Sequence, residues 1–496
     1  MGAADTNRTL GVFSWRDHVV HLLVALVVKG AFVTLFLVDA PAKDRTGRWA
    51  LRETDTWEYT DMLEPLLRGG DYVRDYRMPG LAVVYLPLRL LFDQPTTMDA
   101  IVILQWIAGA VACYLLALAV HLLTGSRRLF RWTFAATLLC SFADTRNAVV
   151  LSEAFAMASL SICFFFLAHW SRQGYRSALF WAGLFLTWAI FLRPIYAPFV
   201  PGIAVVLLVT QWPNVRRAFV PALLFVLPFL VIDGAWTARN YRVHGEFRPL
   251  TNGLYDKDFM RLPYYAMQRF VTAYGGDHVF WEPGADIRWY GFGDGPDPVQ
   301  AVGGERAAPP PAYVHTSECD ADSLVALGRL AGMLRDTAND HLPGRELLLD
   351  GLFERTERYR DAFASEKPFQ YHVLARLRLL GHLTLSSGTG GLFQGSFGDL
   401  PVWKKLFKLG QMGLYWLFLW PGFVGAGWLA FRFRRDPVML SLGLMVVAGV
   451  LLHPFVVRLC ESRYLIPTFP LTIVAAVLFF AYLLRPKGQR AEAFIR

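Results

Sequence analysis

Arg458, Cys460, Glu461, Ser462, Arg463 and Tyr464 lie between two apolar stretches. A charge beside hydrocarbon is costly unless it is hydrated, paired or bound to a ligand, so this edge reads as a working site. The same arrangement recurs at Arg77 to Pro79, at Asp144 to Glu153 and at Arg193 and Pro194, and a polar segment after the first apolar run carries Asp55, Glu58, Tyr59 and Asp61. Carboxylates in such places take protons from hydroxyl groups, and guanidinium groups make charge-assisted, bidentate contacts with phosphate oxygens. Gathered at the ends of many hydrophobic segments, these residues point to an enzyme whose chemistry sits at one face of a membrane.

The elements that must position them are helices. Of the 496 residues, 54% are hydrophobic, and in residues 18–38, 100–124, 148–169, 218–236, 411–431, 438–457 and 464–484 they run on without the regular polar face of a soluble helix. Each run is about 20 residues, the length that crosses the hydrocarbon layer. The first starts late and lacks a small-residue cleavage site before Lys43 to Arg48, so it reads as a retained span rather than a secretion signal. Residues 79–93, opening on Pro79 and Gly80, read as a short or re-entrant segment, and about ten or eleven spans are expected in all. The expected fold is an all-α polytopic membrane protein.

The net charge of +9 does not read as a nucleic-acid signal, because the basic residues fall in short clusters at helix ends, such as Arg127, Arg128 and Arg131 or Arg432, Arg434 and Arg435. Under the positive-inside tendency these clusters face the cytoplasm, and they attract anionic lipid headgroups secondarily. Residues 39–78, Arg193 and about 237–410 then lie outside. Of the five cysteines, Cys113, Cys140, Cys163 and Cys460 fall in or at apolar spans, so no disulfide framework is implied. No phosphate-binding glycine loop is present. His315, Glu318, Cys319 and Asp320 only superficially resemble a metal-ligand set.

The chain divides by pattern into an N-terminal membrane and catalytic-loop region at 1–250, an external insertion or cap at 251–410, and C-terminal membrane helices with a cytoplasmic tail at 411–496. Gly291 to Pro298 and Gly303 to Pro311 read as turns or irregular loop. Residues 320–337, with Leu324, Leu327, Leu330 and Leu334 near helical spacing, and residues 346–363 and 367–384 read as amphipathic helices, packed on one another rather than laid on the membrane.

The stretch from Asp55, Thr56, Trp57, Glu58 and Tyr59 through Leu67, Gly69, Gly70, Asp71 and Tyr72 to Arg77, Met78, Pro79 and Gly80 resembles the first external loop of membrane-embedded glycosyltransferases of the GT-C class. Protein O-mannosyltransferases and the aminoarabinose transferases acting on lipid A are the nearest in pattern. The resemblance continues through Leu151, Ser152 and Glu153, Leu192, Arg193 and Pro194, Arg239, Asn240, Tyr241 and Gly245, and Glu461, Ser462, Arg463, Tyr464 and Pro467. It implies a GT-C-like helix bundle with a largely helical external insertion, in the bacterial inner or plasma membrane with the active site facing the periplasm or exterior. It also implies inverting transfer of a sugar from a polyprenyl-phosphate donor to a protein, lipid or glycan acceptor. The lipid-linked sugar is a substrate, and no cofactor is required.

On this resemblance Asp55 is the general base for the acceptor hydroxyl; its alternative is a helix cap, with Glu58 completing the capping pattern. Glu153 orients the acceptor, pairs with an arginine of the donor site, or serves only as an anion at a helix start. Arg77, Arg193, Arg458 and Arg463 are the donor-phosphate contacts, with snorkelling to headgroups as the plain alternative. Glu58, Tyr59, Glu461 and Tyr464 support them. Asp55, Glu58 and Asp61 could also hold a hard divalent ion, but no metal is expected to be required. A multispan transporter of a polar or lipid-linked substrate is the competing function, and it explains poorly the reactive groups collected on one face.

Overall fold

In hydrocarbon a backbone finds partners for its N–H and C=O groups only within itself, so long apolar runs become helices. The structure, a computed structural model, describes residues 13–486 apart from 39, 41–43, 71, 73–76, 212–213, 251–261, 283, 293–308, 337–338, 340, 342, 390–391 and 394–396. Six described helices are long and apolar enough to cross a membrane: Trp15–Val38, Gln94–Thr124, Glu153–Gln173, Ala218–His244, Val402–Arg432 and Pro437–Val457. Shorter apolar helices occupy Pro79–Leu91, Ser177–Leu192, Pro194–Val209 and Phe469–Leu483. The chain is an all-α polytopic membrane protein with a helical insertion; β pairing among the described residues is limited to isolated bridges.

The chain forms two compact units. The first comprises residues up to Asn252, Ser387–Val450 and Leu465 onward. Its centre is Glu153–Gln173, packed against Gln94–Thr124 and Ser177–Leu192, and Ser177–Leu192 packs in turn against Val215–His244. Val402–Arg432 packs on Phe469–Leu483. It turns Leu406, Leu409, Trp416, Trp420, Val424 and Trp428 outward at helical spacing, and an apolar face of that extent is what lipid would cover. The last span is shorter than the 464–484 run of the sequence. Ser462–Leu465 forms a 3-10 turn and the α-helix starts at Phe469, with Pro470 in its first turn.

Gly80 controls a close approach in this unit. A Cβ there would lie 2.4 Å from the Phe191 carbonyl carbon and oxygen, so only glycine lets the turn after Arg77 reach the end of Ser177–Leu192. Trp188 Nε1 closes the contact by donating to the Gly80 carbonyl at 3.0 Å. The expected short segment at 79–93 is a 3-10 turn, Pro79–Leu81, followed by the helix Ala82–Leu91.

The second unit comprises Gly253–Ser386 and Leu451–Tyr464. Its helices Pro263–Ala273, Ala321–Arg335 and Arg345–Glu366 bury Phe270, Tyr290, Leu324, Leu352, Tyr359 and Phe363 in one apolar core. Leu327 and Leu334 join that core and Leu330 packs at its edge, so the amphipathic faces are spent on one another. Asp320 caps Ala321–Arg335 by accepting from the Ser323 N–H at 2.9 Å. The 367–384 segment is not one regular α-helix, because a π turn at Gln370–Leu374 precedes Ala375–Thr384. Gly291 opens its predicted loop as a left-handed residue, and most of Gly291 to Pro298 and Gly303 to Pro311 lies outside the described residues, as does Asp71.

Candidate functional site

The first loop is shaped by backbone clasps before any reactive group is placed. Asp99 accepts from the N–H groups of Arg48, Trp49 and Ala50 at 2.8, 2.6 and 2.9 Å, and Leu51 N–H donates to the Ala148 carbonyl at 2.8 Å. The short helix Thr54–Thr60 follows. Its N-cap is Glu53, whose N–H donates to Thr56 Oγ1 at 3.0 Å, so the capping role does not fall to Asp55 and Glu58. Those two carboxylates instead face Arg77.

Glu58 Oε2 accepts from Arg77 Nε at 3.0 Å and also from Arg77 Nη2. The Asp55 carboxylate is 3.7 Å from Arg77 Nη2 and about a quarter of its side chain is solvent-exposed. The Arg77 guanidinium lies over the Tyr59 ring at 4.9 Å, which adds a cation–π attraction. Tyr72 Oη donates to the Arg77 carbonyl at 2.7 Å, holding the main chain of the same residue.

Tyr59 carries the network onward. Its hydroxyl is 3.0 Å from Ser152 Oγ, one residue before Glu153 at the start of Glu153–Gln173. Glu153 is 2% exposed and pairs with Arg193 Nη1 at 2.6 Å. Arg193 is set at the end of Ser177–Leu192, where its extended backbone and Pro194 stop the helix. Asp55, Glu58, Arg77, Tyr59 and Ser152 thus form one side-chain network, and the Glu153–Arg193 pair adjoins it through the main chain from Ser152 to Glu153. It can share a proton at a carboxylate and hold guanidinium groups with donors to spare, since a carboxylate uses at most two of an arginine's five N–H groups.

The first unit also holds a buried ion pair that the sequence reading passed over. Lys29, in the first apolar helix, reaches Asp144 Oδ2 at 2.6 Å and the Thr137 carbonyl at 3.0 Å. Asn147 Nδ2 donates to the other Asp144 oxygen at 2.8 Å, and both members of the pair are essentially inaccessible. A lysine interrupting an apolar span was the available signal.

In the second unit Arg458 ends a π turn, Leu452–Val457, in a left-handed conformation with φ 63°. Arg463 Nε binds Glu461 Oε1 at 2.5 Å, and Tyr464 stacks on His453 with centroids 5.1 Å apart. Beside them His278 is buried. Cys460 N–H donates to its Nε2 at 3.3 Å, which puts the ring proton on Nδ1, 3.1 Å from Tyr264 Oη. Burial, against the opposing pull of Asp277, pushes the His278 pKa down to about 4. Burial raises the Cys460 thiol well above its ordinary range, so this cysteine is a packed thiol rather than a nucleophile.

Asp55, Glu58, Tyr59, Arg77, Glu153 and Arg193 therefore meet within the first unit, and Arg458, Glu461, Arg463 and Tyr464 lie close in sequence in the second. Asp61 stays apart from the acid pair that faces Arg77 and lines an open cavity of about 570 Å³ with Glu64, Arg68 and Arg89. Among the described residues no group of three His, Cys, Asp or Glu side chains is placed to hold a metal ion. Arg239, from the resembling Arg-Asn-Tyr stretch, bonds the Tyr72 carbonyl, and Asn240 Nδ2 donates to the Arg248 carbonyl at 2.9 Å; both buttress loops rather than face the acids.

No protein-family model and no curated protein matches the chain. Among solved structures, the archaeal oligosaccharyltransferase AglB from Archaeoglobus fulgidus, in complex with an inhibitory peptide and a dolichol-phosphate, is similar at 13% identity and TM-score 0.45, over 96% of this chain and 52% of that one. ArnT from Cupriavidus metallidurans in the apo state is similar at 15% identity and TM-score 0.36, over 92% of this chain and 77% of that one. The chain spans about half the length of the oligosaccharyltransferases it matches.

Proposed function

We propose that the chain is a membrane glycosyltransferase that moves a sugar, with inversion, from a polyprenyl-phosphate donor to an acceptor hydroxyl or amine at the external or periplasmic face of a bacterial inner or plasma membrane. The observation that carries this reading is the network of the first unit, in which a partly exposed Asp55 stands beside a guanidinium already oriented by Glu58. The order of motifs that resembles the GT-C class supports it.

In the reaction the acceptor oxygen or nitrogen attacks the anomeric carbon, and the bond from that carbon to the phosphate oxygen breaks. The electron pair leaves with the polyprenyl phosphate, and the acceptor proton passes to the Asp55 carboxylate. Negative charge builds on the departing phosphate, where Arg77 and Arg193 supply N–H donors. Glu58 and Glu153 hold these arginines in place. Arg458 and Arg463 keep the donor-phosphate assignment from the sequence, with Glu461 as the restraint on Arg463.

The test is incubation of purified protein in lipid with a panel of polyprenyl-phosphate sugars and native-membrane acceptors, reading donor loss and product mass. Transfer that is nearly abolished in folded Asp55→Asn is expected. Transfer retained in that variant sinks the general-base role, and substrate counterflow without donor turnover sinks the transferase reading.

A further inference from the structure

Arg376 lies in the helix Ala375–Thr384 and is 3% exposed, yet among the described residues neither of its terminal guanidinium nitrogens has a hydrogen-bond partner within bonding geometry. A buried guanidinium is normally paired, because its desolvation is repaid only by an anion or by acceptor oxygens. Among the described residues the charge that acts on it most strongly is instead another cation, Arg458. Arg376 and Arg458 both lie against the ring of Tyr371, at 5.1 Å and 4.2 Å from its centroid. Two guanidinium carbons at those distances from one centroid are at most ~9 Å apart, within about a Debye length, where like charges still repel. Burial, and then the Arg458 charge, draw the Arg376 pKa down to about 10, against an opposing pull from Tyr371.

The aromatic ring repays part of this cost by cation–π attraction. The rest is unpaid among the described residues. Arg463, five residues further on, differs sharply, since Glu461 already neutralises it. The local backbone also favours a dedicated position. Arg458 occupies a left-handed conformation that non-glycine residues seldom adopt, and the π turn Gln370–Leu374 leads directly into Arg376.

We propose that Arg376 and Arg458 form an anion site against Tyr371 that takes a phosphate-type oxyanion, bridged between the two guanidinium groups. This adds to the donor-phosphate assignment of Arg458 a residue that no pattern in the sequence singled out, and it rests on the transferase reading only where the phosphate is that of the lipid donor. A tetrahedral phosphate presents oxygens in several directions and can accept from two guanidinium groups at once. The same chemistry is offered by a polyprenyl phosphate and by free phosphate, so the source is an arm of the test.

Full-length protein is placed in zwitterionic lipid nanodiscs, and thermal unfolding is followed with undecaprenyl phosphate in the disc, with inorganic phosphate in the buffer, or with chloride at matched ionic strength. Wild type is expected to unfold at higher temperature with at least one phosphate probe and not with chloride. Response to the lipid alone identifies a lipid phosphate, and response to the buffer ion identifies free phosphate. Arg376→Met and Arg458→Met are each expected to raise the half-effective phosphate concentration at least about tenfold, the effect of losing a charge-assisted hydrogen bond. Without phosphate, Arg376→Met is expected to unfold no earlier than wild type, whereas an arginine with a purely structural role would be missed. If Arg376→Met does not fold, the partly exposed Arg458 carries the same test. Absence of any phosphate response in wild type, or an unchanged response in the variants, overturns the site. Phosphate binding without donor turnover would instead sink the transferase reading and leave the site standing.

Discussion

Replacing Glu153 by glutamine keeps the shape of the side chain and removes its charge, which takes the Glu153 carboxylate away from Arg193 in a mostly buried position. Opposite charges about 4 Å apart attract by about 4 kcal/mol at an effective dielectric of 20, against about 1 kcal/mol in water. Breaking one side of a buried pair costs about 3–5 kcal/mol, because the surviving charge stays desolvated. With Glu153 only 2% exposed, a loss of roughly 3 kcal/mol is expected for Glu153→Gln, the retained amide oxygen offsetting part of the range. The assay is a double-mutant cycle with Arg193→Met, read by reversible unfolding in nanodiscs and by donor turnover. The double variant is expected to be more stable than either single variant and to remain inactive, since it restores electroneutrality without restoring a phosphate donor. Additive losses, or a Glu153→Gln protein with wild-type stability and kinetics, would refute the pairing and its part in the site.

Gly80→Ala is expected to cost about 1–3 kcal/mol, since the new methyl meets the Phe191 main chain, and to lower turnover more than donor affinity by displacing Arg77; wild-type kinetics would refute the close approach. Lys29→Met leaves Asp144 buried beside no cation and is expected to destabilise by about 3–5 kcal/mol, with Asp144→Asn added in the same chain recovering most of the loss in a melting experiment. His278 is held neutral to about 4, below the ordinary 6.5, so the unfolded chain binds the extra proton between those values. The His278 contribution is therefore fully present above pH 6.5 and falls by roughly 3 kcal/mol as pH drops to about 4, a slope that His278→Gln should flatten in denaturant titrations at stepped pH.

Hydrophobic run length was the most readable property of this chain, because it depends on composition over some twenty residues and on nothing distant. Six of the seven apolar runs correspond to long helices, and the seventh lost its first residues to a 3-10 turn whose polar Ser462 and Arg463 were visible in the sequence. Pairing was less readable. Arg77 was visible as a boundary cation, but its bond to Glu58 depends on the Gly80 turn, and the Glu153–Arg193 pair depends on two helices whose ends meet. Local rules also competed: Asp55 with Glu58 has capping spacing, yet Glu53 with Thr56 takes the cap because the chain turns two residues earlier. Arg376 had no distinguishing mark in the sequence, since Arg378 stands two positions away on the same helix and only their surroundings in the fold separate them.

The hydroxyl bridge from Tyr59 to Ser152 spans 93 residues of sequence, and its neighbours tie the same two stretches together through Leu51 with Ala148 and Glu53 with Arg146. Residues 44–60 and 144–153 consequently behave as two halves of one cassette. In a chimera, transplanting the loop alone would bring its acids into a host that lacks their seat, whereas exchanging both halves together carries the mortise along with the tenon. Directed libraries aimed at altering what this face accepts would draw their variation in matched sets from both stretches, with Asp99 retained as the peg that fixes the loop's entry.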